Sequence, residues 1–141
     1  MLKKLVLFKL LKKHFNFKDA FSITKALLSK NNIIDVPSKK FQFFLRNDTK
    51  DLETFEEVFL SNIYNTILPI VPKTIVDAVA NVGLATVFFR LKYPDSEIVA
   101  IEIESENIKM IKKNTSHFKN IDISERALYN KKAFFKIEDP Y

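Results

Sequence analysis

The residues of this chain whose types and spacing could do chemistry lie between Asp77 and Glu102. An apolar run, Ile75 to Ala78, carries Asp77 at its end. A short loop that holds Asn81 and Gly83 follows this run. A strand-end acid beside such a loop can accept hydrogen bonds from ribose hydroxyls, while loop N–H groups face the ligand. Gly83 and Glu102 are 19 positions apart, close to the offset of about 20 for a ribose-binding acid. This spacing predicts a nucleotide site, with a plain scaffold bearing solvated acids as the alternative.

A strand–helix–strand unit is needed to bring these residues together, because parallel strands end at the same edge of a sheet. Leu84 to Tyr93 has helical periodicity and is closed by Pro94, and Ile98 to Ile101 is an apolar run that ends in Glu102. Downstream, the pattern predicts a helix capped by Ser105 and ending near Asn114, a strand at Ile121 to Ser124, and a further strand at Ala133 to Ile137.

The same region resembles the FkbM family of S-adenosylmethionine-dependent methyltransferases. The residues that carry the resemblance are, in order, Asp77-Ala-Val-Ala-Asn-Val-Gly83, Thr86, Tyr93-Pro94, Val99-Ala-Ile-Glu102, Asn107, Asn114 and Ala127-Leu128. Upstream, Phe44-Leu45-Arg46-Asn47-Asp48-Thr49 and the helix after it match the lead-in of the family, so the resemblance covers about residues 33 to 137.

The resemblance implies S-adenosylmethionine as the cofactor and a role for each matching residue. Glu102 would hold the ribose hydroxyls, and Asp77 would face the methionine amino group, directly or through water. The backbone around Asn81 and Gly83 would wrap the cofactor, and Thr86 matches a family serine in the first turn of the helix. For Asp77 and Thr86, plain loop and helix capping is an equal alternative.

Two departures from the family pattern bear on the pocket. Val79 stands where the family has its first glycine, and Ile103 replaces a proline after the acid. A β-branched residue is a poor substitute where a turn needs positive φ or where a ligand approaches the backbone closely. Val79 therefore predicts a narrowed or disabled cofactor pocket.

The fold implied is α/β, the Rossmann-like S-adenosylmethionine-dependent methyltransferase fold. It is expected to be incomplete, with the first half of a doubly wound sheet and an N-terminal helical and hairpin extension. The implied function is methyl transfer from S-adenosylmethionine to an unknown acceptor, a small molecule or a glycan, expected as O-methylation. No catalytic residue can be named, and the chain is expected to be a truncated or inactive form.

Two other functions remain open. One is a non-catalytic remnant or interaction module that docks on a membrane or partner through its basic N-terminus. The other is an NAD-dependent oxidoreductase, against which Val79 and Ala80 argue, because they replace the glycines that a bound pyrophosphate needs. Cofactor binding distinguishes these alternatives.

Composition excludes several classes of function. The chain has no Cys, and its two histidines have no metal-ligand spacing, so no metal site is expected. The net charge is +6, but residues 1–46 hold eleven Lys or Arg and two acids, whereas residues 47–141 hold twelve and fifteen. Because the basicity is confined to one end, no nucleic-acid partner is expected.

The N-terminal part is expected to be basic and helical. Residues 1–17 alternate apolar clusters with lysines, without the pattern of a signal peptide or a transmembrane helix. A cytoplasmic chain is expected, with weak contact between residues 1–17 and a membrane surface as a further hypothesis. The predicted division is a helical extension at 1–32, a hairpin and an amphipathic helix (about Lys50 to Tyr64) at 33–70, and the partial methyltransferase domain at 71–141.

Overall fold

The computed structural model of the protein describes residues 2–29, 31, 33–37, 42–47 and 49–131. The chain divides into two compact units, Met1–Val71 and Pro72–Tyr141. The predicted division into residues 1–32, 33–70 and 71–141 stays a prediction, because compactness alone does not delimit domains that fold independently. Within the described ranges, no helix is both long and apolar enough to cross a bilayer.

The first unit combines a helical pair, a β-hairpin and a short helix. Its elements are α1 (Leu2–His14), α2 (Phe17–Leu27), β1 (Ile33–Pro37), β2 (Gln42–Arg46) and α3 (Asp51–Phe55), which continues as a π-helical turn (Glu56–Leu60). The two strands are antiparallel, with Ile33 opposite Arg46. Asn16 separates the first two helices, since its side chain accepts a hydrogen bond from the N–H of Asp19 and caps α2. The predicted helical and hairpin extension is therefore present.

An aromatic cluster joins the hairpin to the helix that follows it. Phe43 on β2 lies 5.1 Å from Phe55 and 5.4 Å from Phe59, measured between ring centroids. Phe43 and Phe55 are fully buried. The helix that was predicted to be amphipathic thus packs its aromatic side chains on the hairpin.

The same helix ends at Leu60, so the predicted extension to Tyr64 is wrong. A π-helical turn closes it, with the N–H of Ser61 donating to the carbonyl oxygen of Glu56 at 2.8 Å. Asn62 then takes a left-handed backbone with φ of 57°, which stops helical hydrogen bonding. Ile63, within the predicted extension of the helix, is 51% exposed.

The second unit is a parallel α/β structure. Its elements are β3 (Thr74–Asp77), α4 (Leu84–Lys92), β4 (Glu97–Glu102), α5 (Ser105–Thr115) and β5 (Ile121–Glu125). The strands lie in the order β3-β4-β5 and are all parallel. This confirms the predicted α/β class and the predicted strand–helix alternation. The strand predicted at Ala133 to Ile137 lies outside the described residues.

The cap of α5 differs from the prediction. The carboxylate of Glu104, rather than the hydroxyl of Ser105, accepts hydrogen bonds from the N–H groups of Glu106 at 2.9 Å and Asn107 at 2.7 Å. A carboxylate is favoured here because it satisfies two N–H groups and also complements the positive end of the helix dipole.

The sheet buries one face more fully than the other. Ile98 and Ala100 on β4 are buried, and Ala100 packs with Ala80, Ile111 and the partly buried Ile123. On the alternate face, Val76 of β3 is 57% exposed. Side chains alternate between the faces of a strand, so Glu102 lies on the same face as Ile98 and Ala100. Asp77 is paired with Ala100 and lies on that buried face as well.

Arg90 on α4 fixes the opposite end of the sheet. Arg90 is 6% exposed, and its guanidinium donates to the carbonyl oxygens of Pro94 at 2.7 Å, Ser96 at 2.6 Å and Asn120 at 2.6 Å. These carbonyl groups belong to the loops that lead into β4 and β5. A planar, fully charged donor group can serve several acceptors at once, so Arg90 clamps both loops.

Candidate functional site

The loop between β3 and α4 is held by hydrogen bonds from three directions. The N–H of Ala80 donates to the carbonyl oxygen of Ile101 at 3.0 Å, which ties the loop to β4. The N–H of Gly83 donates to the carbonyl oxygen of Ala80 at 2.8 Å and closes a turn. From α5, the buried side chain of Asn114 donates to the carbonyl oxygen of Val82 at 2.8 Å. The loop is therefore a fixed part of the sheet edge.

Two residues of this loop have a left-handed backbone. Asn81 has φ of 50° and Gly83 has φ of 82°. Asn tolerates this region better than most residues, and Gly adopts it without steric cost. At Gly83 a side chain would also be crowded, because a Cβ atom would lie 3.3 Å from the Cα atom of Ile111. The only glycine of the chain thus stands where conformation and packing both require one.

Val79 does not strain the loop. Among the described residues, positive φ occurs at Asn62, Asn81, Asn120 and Gly83. The backbone at Val79 therefore does not need a glycine. The expectation that Val79 is a poor fit to the backbone conformation of this turn is wrong. The side chain of Val79 is 79% exposed. What remains of the predicted obstruction is the bulk of an isopropyl group at the rim of the loop.

Glu102, the last residue of β4, directs its carboxylate to this loop. Its Oε2 atom accepts a hydrogen bond from the N–H of Asn81 at 2.8 Å. Its Oε1 atom accepts from the N–H of Ile103 at 2.8 Å and from that of Glu104 at 2.9 Å. An ionised carboxylate has about four lone-pair positions, so three are used and one, on Oε2, remains for a ligand. The side chain is only 6% exposed.

Asp77 forms a buried pair with Thr86. The hydroxyl of Thr86 donates to the Oδ2 atom of Asp77 at 2.6 Å, and both residues are buried. Burial raises the pKa of the Asp77 carboxyl above its ordinary value of 3.8, hydrogen bonds from Thr86 act in the opposite direction, and the charge of Glu102 adds to the increase. The first helical turn of α4 is thereby tied to the end of β3, which is the capping role foreseen as an alternative for these two residues.

All five residues predicted from the sequence therefore lie at one edge of the parallel sheet. Asp77 and Glu102 end neighbouring parallel strands, Asn81 contacts Glu102 directly, Gly83 begins α4, and Thr86 contacts Asp77. This edge presents one nearly buried carboxylate acceptor, a second carboxylate with a raised pKa, and a loop with a left-handed turn. Such an arrangement suits a polar ligand that carries hydroxyl or ammonium donors. That any of the five binds a cofactor stays a prediction.

Two features of this edge escaped the sequence analysis. The backbone role of Glu102, which holds Asn81 and the start of α5, could not be read from spacing, because an acid for a ligand and an acid for a loop look alike in sequence. Asn114 is part of the FkbM-like pattern, but its contact with Val82 shows a structural role that the pattern does not reveal. Among the described residues, no group of three or more His, Cys, Asp or Glu side chains is arranged to hold a metal ion.

Comparison with known proteins identifies the fold. No protein-family model matches the chain, and no curated protein matches it significantly. Among solved structures, TYW2 from P. horikoshii in complex with MeSAdo aligns with a TM-score of 0.51 and 14% identity, over 72% of this chain and 38% of that one. The protein PH0793 from Pyrococcus horikoshii aligns with a TM-score of 0.52 and 11% identity, over 84% of this chain and 50% of that one.

At these identities the likeness establishes the fold. The fold is α/β, of the Rossmann-like type found in S-adenosylmethionine-dependent methyltransferases. The chain spans half or less of the length of each of these two structures. Within the described residues, the sheet of this fold has the three parallel strands β3, β4 and β5.

Proposed function

We propose that this chain carries the cofactor-binding half of an S-adenosylmethionine-dependent methyltransferase related to the FkbM family. The observation that carries the proposal is the position of the Glu102 carboxylate, which ends β4, faces the β3–α4 loop and keeps one lone pair on Oε2. The FkbM-like residue order and the fold likeness support it. The acceptor is proposed to be a hydroxyl group of a small molecule or a glycan.

The residues at the edge of the sheet suit this cofactor. A nearly buried carboxylate acceptor at the end of β4 matches a ribose hydroxyl, and the second carboxylate, Asp77, matches a methionine ammonium group. The left-handed turn at Asn81 and Gly83 gives the loop the curvature to follow an extended ligand. Val79 lies at the rim with its side chain exposed, so it narrows the approach without distorting the loop.

The cofactor, when bound, supplies an activated methyl group on a sulfonium, and the protein has to align that group with its acceptor. In this proposal Glu102 would accept a hydrogen bond from one ribose hydroxyl through the lone pair on Oε2 that no backbone N–H group uses. Asp77, fixed by the hydroxyl of Thr86, would supply the carboxyl oxygen that faces the ammonium group. Gly83 and Asn114 hold the loop in place, so that the adenosine moiety meets a rigid surface.

Ligand binding by paired analogues tests the role of Glu102 directly. Calorimetric titration would compare S-adenosylhomocysteine with an analogue that lacks both ribose hydroxyls, in the wild type and in Glu102→Gln. A hydrogen bond to a charged acceptor is worth about 1.5–3 kcal/mol, so the wild type should prefer the hydroxylated ligand by about 10- to 150-fold. This preference should collapse in Glu102→Gln and persist in Glu97→Gln, an exposed acid on the same strand.

A second candidate function is an interaction module without catalytic activity. The side chain of Val79, which is 79% exposed on the β3–α4 loop where a glycine would leave room for a ligand, favours it. A folded chain that binds neither S-adenosylmethionine nor S-adenosylhomocysteine would support this candidate, and restored binding in Val79→Gly would locate the cause in the loop. Tighter binding of NAD than of either ligand would favour the oxidoreductase instead.

A further inference from the structure

The positive charge of the chain is concentrated in the helical pair α1–α2. Residues 2–28 contain seven Lys and one Asp, a net charge of +6, which equals the net charge of all 141 residues. The remainder of the chain is therefore neutral overall. Lys9, Lys12, Lys13, Lys18 and Lys25 are all exposed. This helical pair is a compact cationic surface on a chain that is otherwise electrically balanced.

The helical pair also exposes large apolar side chains. On α2 and directly after it, Phe17 is 62% exposed, Phe21 is 60% exposed and Leu28 is 40% exposed. With 100° per residue, these three side chains lie within about 40° of one another and form a single stripe. On α1, Leu5 is 53% exposed. Aromatic and leucine side chains at this exposure are costly in water and favour an apolar partner.

A groove connects the apolar side chains of the two helices. It has a volume of about 660 Å³ and is bounded by Leu5 and Phe8 on one side and by Phe17, Phe21 and Leu28 on the other. Phe8 and Phe17 meet edge to face with their ring centroids 5.4 Å apart. Apolar rims of this kind, separated by a shallow trough, can accommodate flexible hydrocarbon chains.

Lysine side chains lie close to the apolar residues of the groove. The Nζ atom of Lys12 lies 5.6 Å from the ring centroid of Phe17, and Lys25 lines the groove itself. Lys18 lies about 20° from Lys25 on the wheel of α2. A lysine can lay its methylene stem along apolar surface while its ammonium group stays in the polar layer. Apolar rings in the middle and ammonium groups at the border match the layering of a lipid interface.

We propose that the α1–α2 pair docks on the surface of a bilayer that contains anionic phospholipid. Phe17, Phe21, Leu28 and Leu5 enter the boundary between headgroups and acyl chains, and the flanking lysines contact the phosphates. The net charge of +6 selects an anionic surface rather than a zwitterionic one. On α1 the exposed Val6 and Leu10 are interleaved with lysines. A helix face that mixes apolar side chains with lysines suits a lipid interface, which offers apolar and charged layers together. It suits a purely apolar groove on a partner protein less well.

Vesicle flotation with the full chain tests this surface. Vesicles of phosphatidylcholine alone and vesicles that also contain phosphatidylserine would be compared, each at low and high salt. Binding is expected only with phosphatidylserine and should weaken as salt rises, because exposed charges are screened. A lysine near an anionic membrane contributes about fivefold to binding, so the double variant K12Q/K25Q should bind about 25-fold more weakly.

Matched variants distinguish binding through the proposed surface from non-specific hydrophobic or electrostatic binding elsewhere on the chain. The double variant F17S/F21S should lose binding, whereas I70S/L128S, which removes two side chains that are 75% and 60% exposed elsewhere, should retain it. Likewise, K73Q/K119Q changes the net charge as K12Q/K25Q does and should bind like the wild type. Circular dichroism would verify that each variant is folded.

Three outcomes would overturn the proposal. The first is an absence of vesicle binding by the folded wild-type chain, and the second is equal binding to both vesicle types. The third is an equal loss of binding in the control variants. Binding of an acidic peptide in the groove, without any vesicle binding, would assign the surface to a protein partner instead. None of these results depends on the proposed methyl transfer, which has its own titration.

Discussion

Replacing Glu102 by Gln tests whether this carboxylate holds the sheet edge together as well as serving a ligand. The carboxylate accepts three backbone N–H groups, from Asn81, Ile103 and Glu104. A glutamine side chain offers one carbonyl oxygen, which can keep two of these donors. Its NH₂ group then faces the third N–H, so that two donors oppose each other in a nearly buried place.

The cost follows from the hydrogen bonds that are lost or weakened. A hydrogen bond to a charged group contributes about 1.5–3 kcal/mol, and a buried donor without an acceptor costs about 1–3 kcal/mol. One bond is lost and two become bonds to a neutral acceptor, so we expect Glu102→Gln to lower the free energy of unfolding by about 2–4 kcal/mol.

Two measurements check this expectation. Urea unfolding followed by circular dichroism gives the free energy of unfolding, and amide hydrogen exchange should show faster exchange at Asn81, Ile103 or Glu104. Glu97→Gln, on the same strand but exposed, should stay within about 0.5 kcal/mol of the wild type. If Glu102→Gln also stays within that range and the three amides exchange as before, the proposed role of the carboxylate is refuted.

Three further substitutions test the structure around this edge. Thr86→Val should lower the free energy of unfolding by about 1.5–3 kcal/mol at pH 7, since the charged carboxylate of Asp77 loses a hydrogen bond, whereas Thr86→Ser should be tolerated. Burial raises the folded-state pKa of Asp77, so the folded state binds the proton more tightly. The contribution of this carboxyl to stability therefore falls as the pH rises from 3.8 through the folded pKa. Without its donor the pKa rises further, so the effect of Thr86→Val should shrink on acidification; an equal loss of unfolding free energy at all pH values would contradict this. Gly83→Ala should cost about 1–3 kcal/mol in urea unfolding because of its left-handed backbone and close approach to Ile111, and an unchanged denaturation midpoint would show that the turn relaxes. Arg90→Lys should lower the free energy of unfolding by about 2–3 kcal/mol in the same assay. The reason is that a single ammonium group cannot reach all the carbonyl oxygens that the guanidinium contacts. Stability equal to the wild type would show that Arg90 does not hold the two loops together.

The second unit was predicted well because its pattern is strong. Leu84 to Tyr93 has an apolar stripe at helical spacing and is closed by Pro94, and the observed α4 ends one residue earlier, at Lys92. The apolar run at Ile98 is short and nearly continuous, as in buried parallel strands, and it lies in β4. Strand order and the convergence of Asp77 with Glu102 follow once the connections are known to be parallel.

What could not be predicted depends on contacts between distant parts of the chain. The helix after Thr49 ends in a π-helical turn at Leu60 and a left-handed Asn62, although its apolar spacing continues to Ile63. That the backbone at Val79 is unstrained depends on the φ angle of this one loop residue, which the residue type does not determine. Arg90 lies on a helix as any surface arginine would, and only the two loops packed around it make it a structural residue.

The three N–H groups bound by Glu102 also affect how the history of such a chain is inferred from its sequence. A descendant that had lost its ligand would still require an acid at this position, because the loop and the two residues before α5 depend on it. Selection for foldedness would preserve this part of the signature long after selection for turnover had ceased. An acid at position 102 therefore does not by itself distinguish an active enzyme from a folded chain that has lost its activity.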